Sequence, residues 1–229
     1  MNIQSRYFWL MNFCFSMPIL ADDLAIDKLY HPYVQALERE LEWRMISADN
    51  QQLHRLGLGT SLSNRLFIEA YLIAEEKGGG KLEISDYELE AKWQLSEQGE
   101  YAIDWGMIVE LEKKRHENDW EFATGLLMEK EWGQWVGSAN VWVIYEWGDT
   151  IKEEVESALA LQLRYRYSRH FEPAIEFYSG QNTRALGSSI MGDIKLTGRK
   201  KWHWEAGIIL GLDDKTPDNM WRLLSEFEF

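Results

Sequence analysis

The chain has 229 residues, a formal net charge of -14 at pH 7 and a single cysteine, Cys14. This acidity argues against nucleic acid as a partner, because phosphate binding needs a basic patch and the sequence offers none. If Cys14 is removed with a leader peptide, the mature chain has no disulfide, thiolate metal site or cysteine nucleophile.

The first 21 residues have the composition of a secretory signal peptide. A short polar start with Arg6 precedes an apolar run over residues 7–20, and Ala21 is followed by two aspartates. The run is too short to cross a bilayer as a helix. The sequence therefore predicts a signal peptide over residues 1–21, with a buried amino-terminal helix as the alternative. Residues 22–32 would then form a short periplasmic lead segment.

From Tyr33 onward one unit repeats along the chain. About ten residues alternate between apolar and polar side chains, and a short polar or glycine-containing break follows. In the first unit, Leu41 and Trp43 alternate with Glu40 and Glu42. The pattern predicts strands over residues 33–47, 53–61, 65–75, 81–95, 104–113, 119–131, 135–147, 153–167, 172–179, 186–196, 201–212 and 219–229.

The last predicted strand ends on the final residue of the chain. Trp221, Phe227 and Phe229 share one face, and Glu226 and Glu228 lie on the other. This pattern resembles the closing strand of Gram-negative outer-membrane β-barrels, whose terminal aromatic signature is read by the assembly machinery. The resemblance implies that Phe227 and Phe229 form an assembly signal, and that the partners include the barrel assembly machinery and outer-membrane lipid.

Two architectures would produce this alternation. A soluble β-sandwich or large lipocalin-like barrel turns its apolar faces inward, whereas a membrane barrel turns them toward lipid. The signal peptide, the aromatic residues near strand ends, the even strand number and the terminal phenylalanine favour the membrane barrel. We therefore expect an all-β protein of the cell outer membrane, a transmembrane antiparallel up-and-down β-barrel of about twelve strands over residues 33–229.

If the apolar faces meet lipid, the opposite faces line a wet lumen. The predicted lumen-lining residues are Glu38, Glu40, Glu42, Arg44, Glu88, Glu90, Lys92, Glu110, Glu112, Glu154, Glu156, Arg164, Arg166 and Glu205. An excess of carboxylates concentrates cations, which predicts a passive channel or transporter for small cations or polar solutes. The same charges could instead pair across strands and hold the barrel closed. Because the outer loops are short, we expect any narrowing to come from side chains on the wall.

The sequence offers little for metal binding or catalysis. His203 and Glu205 share a face, but two ligands do not make a site, so we expect no metal and no cofactor. A lipid-directed enzyme would need a serine and a histidine in contact, and no spacing joins His203 or His54 to Ser189 or Ser61. A closed barrel with a lipid-directed enzymatic or structural role is the alternative to a channel.

Two stretches carry a further resemblance. Residues 31–44, from His31-Pro32-Tyr33-Val34 to Trp43-Arg44, and residues 87–95 resemble a group of uncharacterised proteobacterial outer-membrane proteins labelled as transporters. The resemblance implies a location and a transport role. It brings no known active site to these positions.

Overall fold

A computed structural model describes residues 26–49, 51–76 and 80–229, so the predicted signal peptide lies outside the described residues. The described chain forms a closed antiparallel barrel in which each strand pairs with its sequence neighbours and the first pairs with the last. The strands are β1 Arg39–Ala48, β2 Gln51–Ser61, β3 Leu66–Glu76, β4 Leu82–Gln94, β5 Asp104–Lys114, β6 Trp120–Trp132, β7 Trp135–Trp147, β8 Glu154–Tyr165, β9 Glu172–Ser179, β10 Arg184–Lys195, β11 Lys201–Gly211 and β12 Asn219–Glu228. In the described ranges, no helix is both long and apolar enough to cross a membrane.

The barrel closes between β1 and β12. Leu41 is opposite Phe227 in this pairing, and Ala48 is opposite Met220. The amide of Phe229 extends the ladder by donating to the carbonyl of Arg39 at 2.9 Å. We call the end of the barrel that carries Arg39 and Glu228 the terminal end, and the opposite end the far end.

Side chains alternate between the two surfaces of the wall. On β1, Leu41 is 45% exposed on the outside, while its neighbour Glu42 is 0% exposed on the inside. Large outward-facing aromatic residues lie near both ends of the barrel. They include Trp93, Trp132, Trp135, Trp202 and Phe229 at the terminal end, and Tyr145 and Trp221 toward the far end. The outer surface is therefore apolar, as a membrane barrel requires. The inner surface carries the charged side chains together with buried apolar clusters around Ile108 and Ile209.

Short turns join the strands where the sequence supplies suitable residues. Gly133 and Gln134 form the two-residue connection between β6 and β7, with Trp132 opposite Trp135. Gly133 has a φ of 66°, a left-handed conformation that glycine adopts without steric cost. The predicted strands agree with the observed ones to within a few residues, except at the start of β1.

Residues 26–35, which we call the lumen segment, lie inside the barrel. Ile26 packs with Ala48 and Met220 toward the far end. The amide of Val34 donates to Oε1 of Gln94 near the terminal end at 2.9 Å. The chain then reverses into β1 through Leu37, whose φ of 64° is unusual for a residue with a side chain.

The lumen segment bears on three expectations. The strand predicted from residue 33 begins only at Arg39. Residues 33–35 belong to the lumen segment, and residues 36–38 connect it to the wall. The described part of the predicted lead, residues 26–32, lies within the barrel and not beside it. The lumen is therefore narrowed by backbone as well as by wall side chains, so the expectation of narrowing by wall side chains alone is wrong.

Candidate functional site in the barrel lumen

The inner surface of the wall carries many carboxylates. Among the described residues, the buried acidic side chains are Asp27, Glu40, Glu42, Glu69, Asp86, Glu88, Glu90, Asp104, Glu110, Asp119, Glu129, Glu156, Glu176, Glu205 and Glu228. The buried arginines are Arg44, Arg55 and Arg222. Because a buried charge is costly without a partner, this arrangement depends on ion pairs, bound water or bound cations.

Asp27 holds the start of the lumen segment. Its carboxylate pairs with the guanidinium of Arg44 on β1. Its backbone carbonyl accepts from Nη1 of Arg222 at 2.8 Å and from the hydroxyl of Tyr178 at 3.3 Å. Strands β1, β12 and β9 therefore all bind the same residue of the segment.

Lys28 connects the segment to carboxylates on β1 and β12. Its ammonium pairs with Glu42, and its Nζ lies 3.6 Å from Oε1 of Glu226. The sequence analysis placed Glu42 on the lumen wall, but it gave no reason to expect a lysine from the lead as its partner.

Tyr30 is bound through both of its backbone groups. Its amide donates to Oδ1 of Asn140 at 2.8 Å, and Nδ2 of Asn140 donates to its carbonyl at 3.0 Å. The ring meets Trp142 edge to face at a centroid distance of 5.8 Å. These contacts satisfy buried backbone groups that would otherwise lack partners inside the barrel.

Close packing at Gly106 accommodates the next part of the segment. A Cβ atom at this position would lie 2.8 Å from Cα of Pro32, so only a hydrogen fits there. His31 beside it pairs through Nδ1 with Glu129, which also accepts from the hydroxyl of Ser138 at 3.0 Å.

A second buried network lies around Arg222 on β12. Its Nη2 donates to both oxygens of Glu176, at 2.9 and 2.8 Å, and also pairs with Glu205. Glu176 further accepts from Nε2 of Gln162 at 2.9 Å and from the hydroxyl of Ser189 at 2.6 Å. This side of the lumen is cross-linked by charge-assisted hydrogen bonds.

A cavity of about 280 Å³ remains in the terminal half of the lumen. Its lining includes Glu38, Glu40, Lys92, Lys201 and His203, so charges of both signs face the space. Burial, and then the nearby Glu228 carboxylate, raise the pKa of Glu38 above its ordinary value. A volume of this size can hold a small polar solute or several water molecules.

The fourteen predicted lumen-lining residues lie on the inward face of their strands or directly beyond a strand end. Arg164 and Arg166, at the terminal end, pair with Glu172 and Glu131. Glu154 lies exposed at the far mouth, where Nε2 of Gln181 bonds to it. Whether any of these residues forms an ion pathway remains a proposal.

Sequence reasoning missed two residues that organise the lumen. Arg55 on β2 is 1% exposed and pairs with Glu88. Its inward position could have been found from the alternation along β2: Leu56 and Leu58 point outward, so Arg55 beside them points inward. Asp27 could not have been found, because no local pattern indicates that a lead segment folds into a lumen.

The serine and histidine candidates form no common site. His203 bonds through Nδ1 to Asp193 at 2.7 Å, and Ser189 donates to Glu176. Ser61 donates to the carbonyl of Gln35, and His54 bonds to Gln52 at 3.2 Å. His203 and Glu205 also have different partners, since Glu205 pairs with Arg222.

The fold is shared with solved outer-membrane channels, although no protein-family model and no curated protein matches the chain. An outer membrane channel from Pseudomonas putida F1 is 15% identical, with a TM-score of 0.56 over 89% of this chain and 100% of that one. The KdgM porin is 12% identical, with a TM-score of 0.54 over 83% and 99% of the two chains. The NanC porin is 13% identical, with a TM-score of 0.51 over 83% and 100%. At these identities the likeness concerns the fold.

Proposed function

We propose that the protein is a passive channel of the outer membrane for small cations or polar solutes. The observation that carries the proposal is a closed barrel with an apolar outer surface, inside which the buried carboxyl side chains outnumber the buried arginines among the described residues. A low-dielectric wall around fixed carboxylates concentrates cations and repels anions. The shared fold supports the same reading, because the similar structures are channels and porins and not enzymes. The terminal end, with an even number of strands, would face the periplasm.

The expected solute differs from that of one structural neighbour. The KdgM porin has been solved in complex with disordered oligogalacturonate. Here the buried carboxylates outnumber the buried arginines, which disfavours a polyanion and favours cations or neutral polar solutes.

In its docked position, the lumen segment limits the passage of solute through the barrel. With residues 26–35 docked, the segment occupies part of the lumen from the far end toward the terminal end, so we propose that it moves when solute passes. The contacts at Asp27, Lys28 and Tyr30 hold the docked state. Because the segment is either docked or displaced, the conductance of such a channel would change in discrete steps.

Planar bilayer recording of the purified barrel tests this function. We expect conductance with cations preferred over anions, and a preference that strengthens at low salt because screening weakens. Replacing Glu38, Glu40 and Glu42 together by Gln should reduce the preference for cations. Because Glu42 also pairs with Arg44, a second triple variant replaces Glu38, Glu40 and Glu228 by Gln and leaves that ion pair intact. It should reduce the preference as well. A folded wild-type barrel that never conducts would contradict the channel and favour a closed barrel with a structural or lipid-directed role.

A further inference from the structure

Three glutamates of neighbouring strands converge on one point of the inner wall. Glu88 and Glu90 are two residues apart on β4, and Glu110 on β5 is the register partner of Glu90. Carboxylate oxygens of the three lie within 4.8 Å of one another. The side chains belong to residues that are only 5%, 1% and 3% exposed, so water does not surround them.

Each of these glutamates has an oxygen without a donor. Oε1 of Glu88, Oε2 of Glu90 and Oε1 of Glu110 accept no hydrogen bond from the described residues. The hydroxyl of Tyr30, on the lumen segment, lies close to Glu90 and is also buried without a hydrogen bond of ordinary geometry. Three carboxylate oxygens from two strands and one hydroxyl from the lumen segment are therefore buried without hydrogen bonds in the same part of the lumen.

Two other acidic clusters also contain one glutamate that is paired with a cation, but Glu40, which belongs to both, has no buried oxygen that lacks a hydrogen bond within the described part of the chain. The cluster of Glu40, Glu42 and Glu69 receives the ammonium of Lys28. The cluster of Glu38, Glu40 and Glu228 receives the ammonium of Lys201. A lysine therefore supplies the cation at both of these places.

At the third cluster, Arg55 pairs with the remaining oxygen of Glu88. Within the described residues, no ion pair reaches Glu90 or Glu110. Buried like charges this close repel each other, and either protons or a bound cation must offset the repulsion.

We propose that Glu88, Glu90 and Glu110, with the Tyr30 hydroxyl, bind a hard divalent cation of the Ca²⁺ type. All the donors are oxygen atoms, which Ca²⁺ prefers. Each pair of carboxylate oxygens is separated by no more than twice a Ca²⁺–oxygen distance of about 2.4 Å, so any two of the carboxylates can bind one ion with the third beside it. The ion would join β4, β5 and the lumen segment. This site does not depend on the channel proposal, because it is tested by binding and not by conductance.

Terbium luminescence tests the site in the folded wild-type barrel in detergent. Tb³⁺ replaces Ca²⁺ at oxygen sites, and excitation of the nearby Tyr30 and Trp142 should sensitise its emission. We expect saturable emission that Ca²⁺ competes away. The double variant Glu90→Gln/Glu110→Gln should lower the Tb³⁺ affinity at least about tenfold, since it removes two direct ligands.

The matched control is Glu121→Gln/Glu146→Gln, which changes another pair of register partners on neighbouring strands. Its Tb³⁺ affinity should stay at the wild-type value. The proposal is overturned if Glu90→Gln/Glu110→Gln binds Tb³⁺ as tightly as the wild type, or if the wild type shows no saturable binding. Either result would indicate that shared protons offset the repulsion between the carboxylates. If the double variant does not fold, anomalous diffraction from wild-type crystals soaked in Tb³⁺ locates the bound ion directly. An ion found only at other positions would also overturn the proposed site.

Discussion

Arg222 shows how a single buried charge can be stabilised inside this barrel. It is 0% exposed and lies among Glu176, Glu205 and the Tyr178 hydroxyl, and it also donates to the Asp27 carbonyl. A guanidinium suits this position because its planar fork donates in several directions at once. The arrangement is stabilising only as a complete network, since removal of one member leaves the others buried without partners.

Replacing Arg222 by Met should therefore destabilise the folded barrel by about 3–5 kcal/mol, the usual cost of leaving a buried charge unpaired. The double variant Arg222→Met/Glu176→Gln should recover part of that loss, because it also removes a stranded carboxylate. Urea unfolding of the reconstituted protein measures both free energies of unfolding. Strictly additive losses would mean that the two side chains do not act as a pair.

Asp213 gives a pH-dependent prediction in the connection between β11 and β12. The Thr216 hydroxyl, followed by the backbone amides of Thr216 and Lys215, lowers the pKa of Asp213 below its ordinary value of 3.8. A lowered pKa in the folded state stabilises the loop above the ordinary value, and this contribution is lost as the pH falls through the lowered pKa.

In an NMR titration, the amide signals of Lys215 and Thr216 should thus shift with a midpoint below pH 3.8. Thr216→Val should move that midpoint upward, because the strongest cause of the shift is removed. A midpoint that is the same in both proteins would show that the hydroxyl does not set the Asp213 pKa.

The strands were predictable from sequence, whereas the lumen segment was not. Each strand is a local pattern, since alternation such as that of Leu41 and Glu42 reports on two surfaces wherever the strand lies. The lumen segment depends on contacts distant in sequence, from Tyr30 to Asn140 and from Asp27 to Arg222. No periodicity in residues 26–35 indicates such partners, so a short lead and a docked segment have the same appearance in the sequence.

Docking of the lumen segment can be tested at Gly106. A Cβ atom there would lie 2.8 Å from Cα of Pro32, so Gly106→Ala should displace the segment at a cost of about 1–3 kcal/mol. The amides of Tyr30 and Val34, which donate to Asn140 and Gln94, should then exchange with deuterium faster.

Gly207→Ala is the matched control for this exchange experiment. Its added Cβ would meet Ser189 Cβ at an ordinary 3.5 Å. Exchange at Tyr30 and Val34 should therefore remain as in the wild type. Equal protection of these amides in all three proteins would show that the segment tolerates an added methyl group and that docking does not depend on Gly106.

For the molecule as a whole, the sequence predicted which surface is polar but not how the polar groups combine. The pattern placed Glu88, Glu90 and Glu110 on the inner wall, and the register of β4 with β5 brings them together. That register is a property of the closed barrel and cannot be obtained from one strand. The same holds for Arg55, whose partners lie on strands two and more positions away.

Closure of the barrel leads to a final prediction about the terminal phenylalanine. Phe229 is 45% exposed, stacks with Phe227 at a centroid distance of 5.8 Å and adds one backbone hydrogen bond to the β1–β12 seam. A half-exposed side chain stabilises the finished barrel by no more than about 2 kcal/mol. If Phe229 acts as an assembly signal, its deletion should strongly lower the amount of barrel in the outer membrane. The free energy of unfolding of the purified protein should change little. Quantifying heat-modifiable barrel in membrane fractions, with the outward-facing Phe122→Ala as the matched control, separates these effects. Normal insertion of the deletion variant would show that Phe229 serves only the seam.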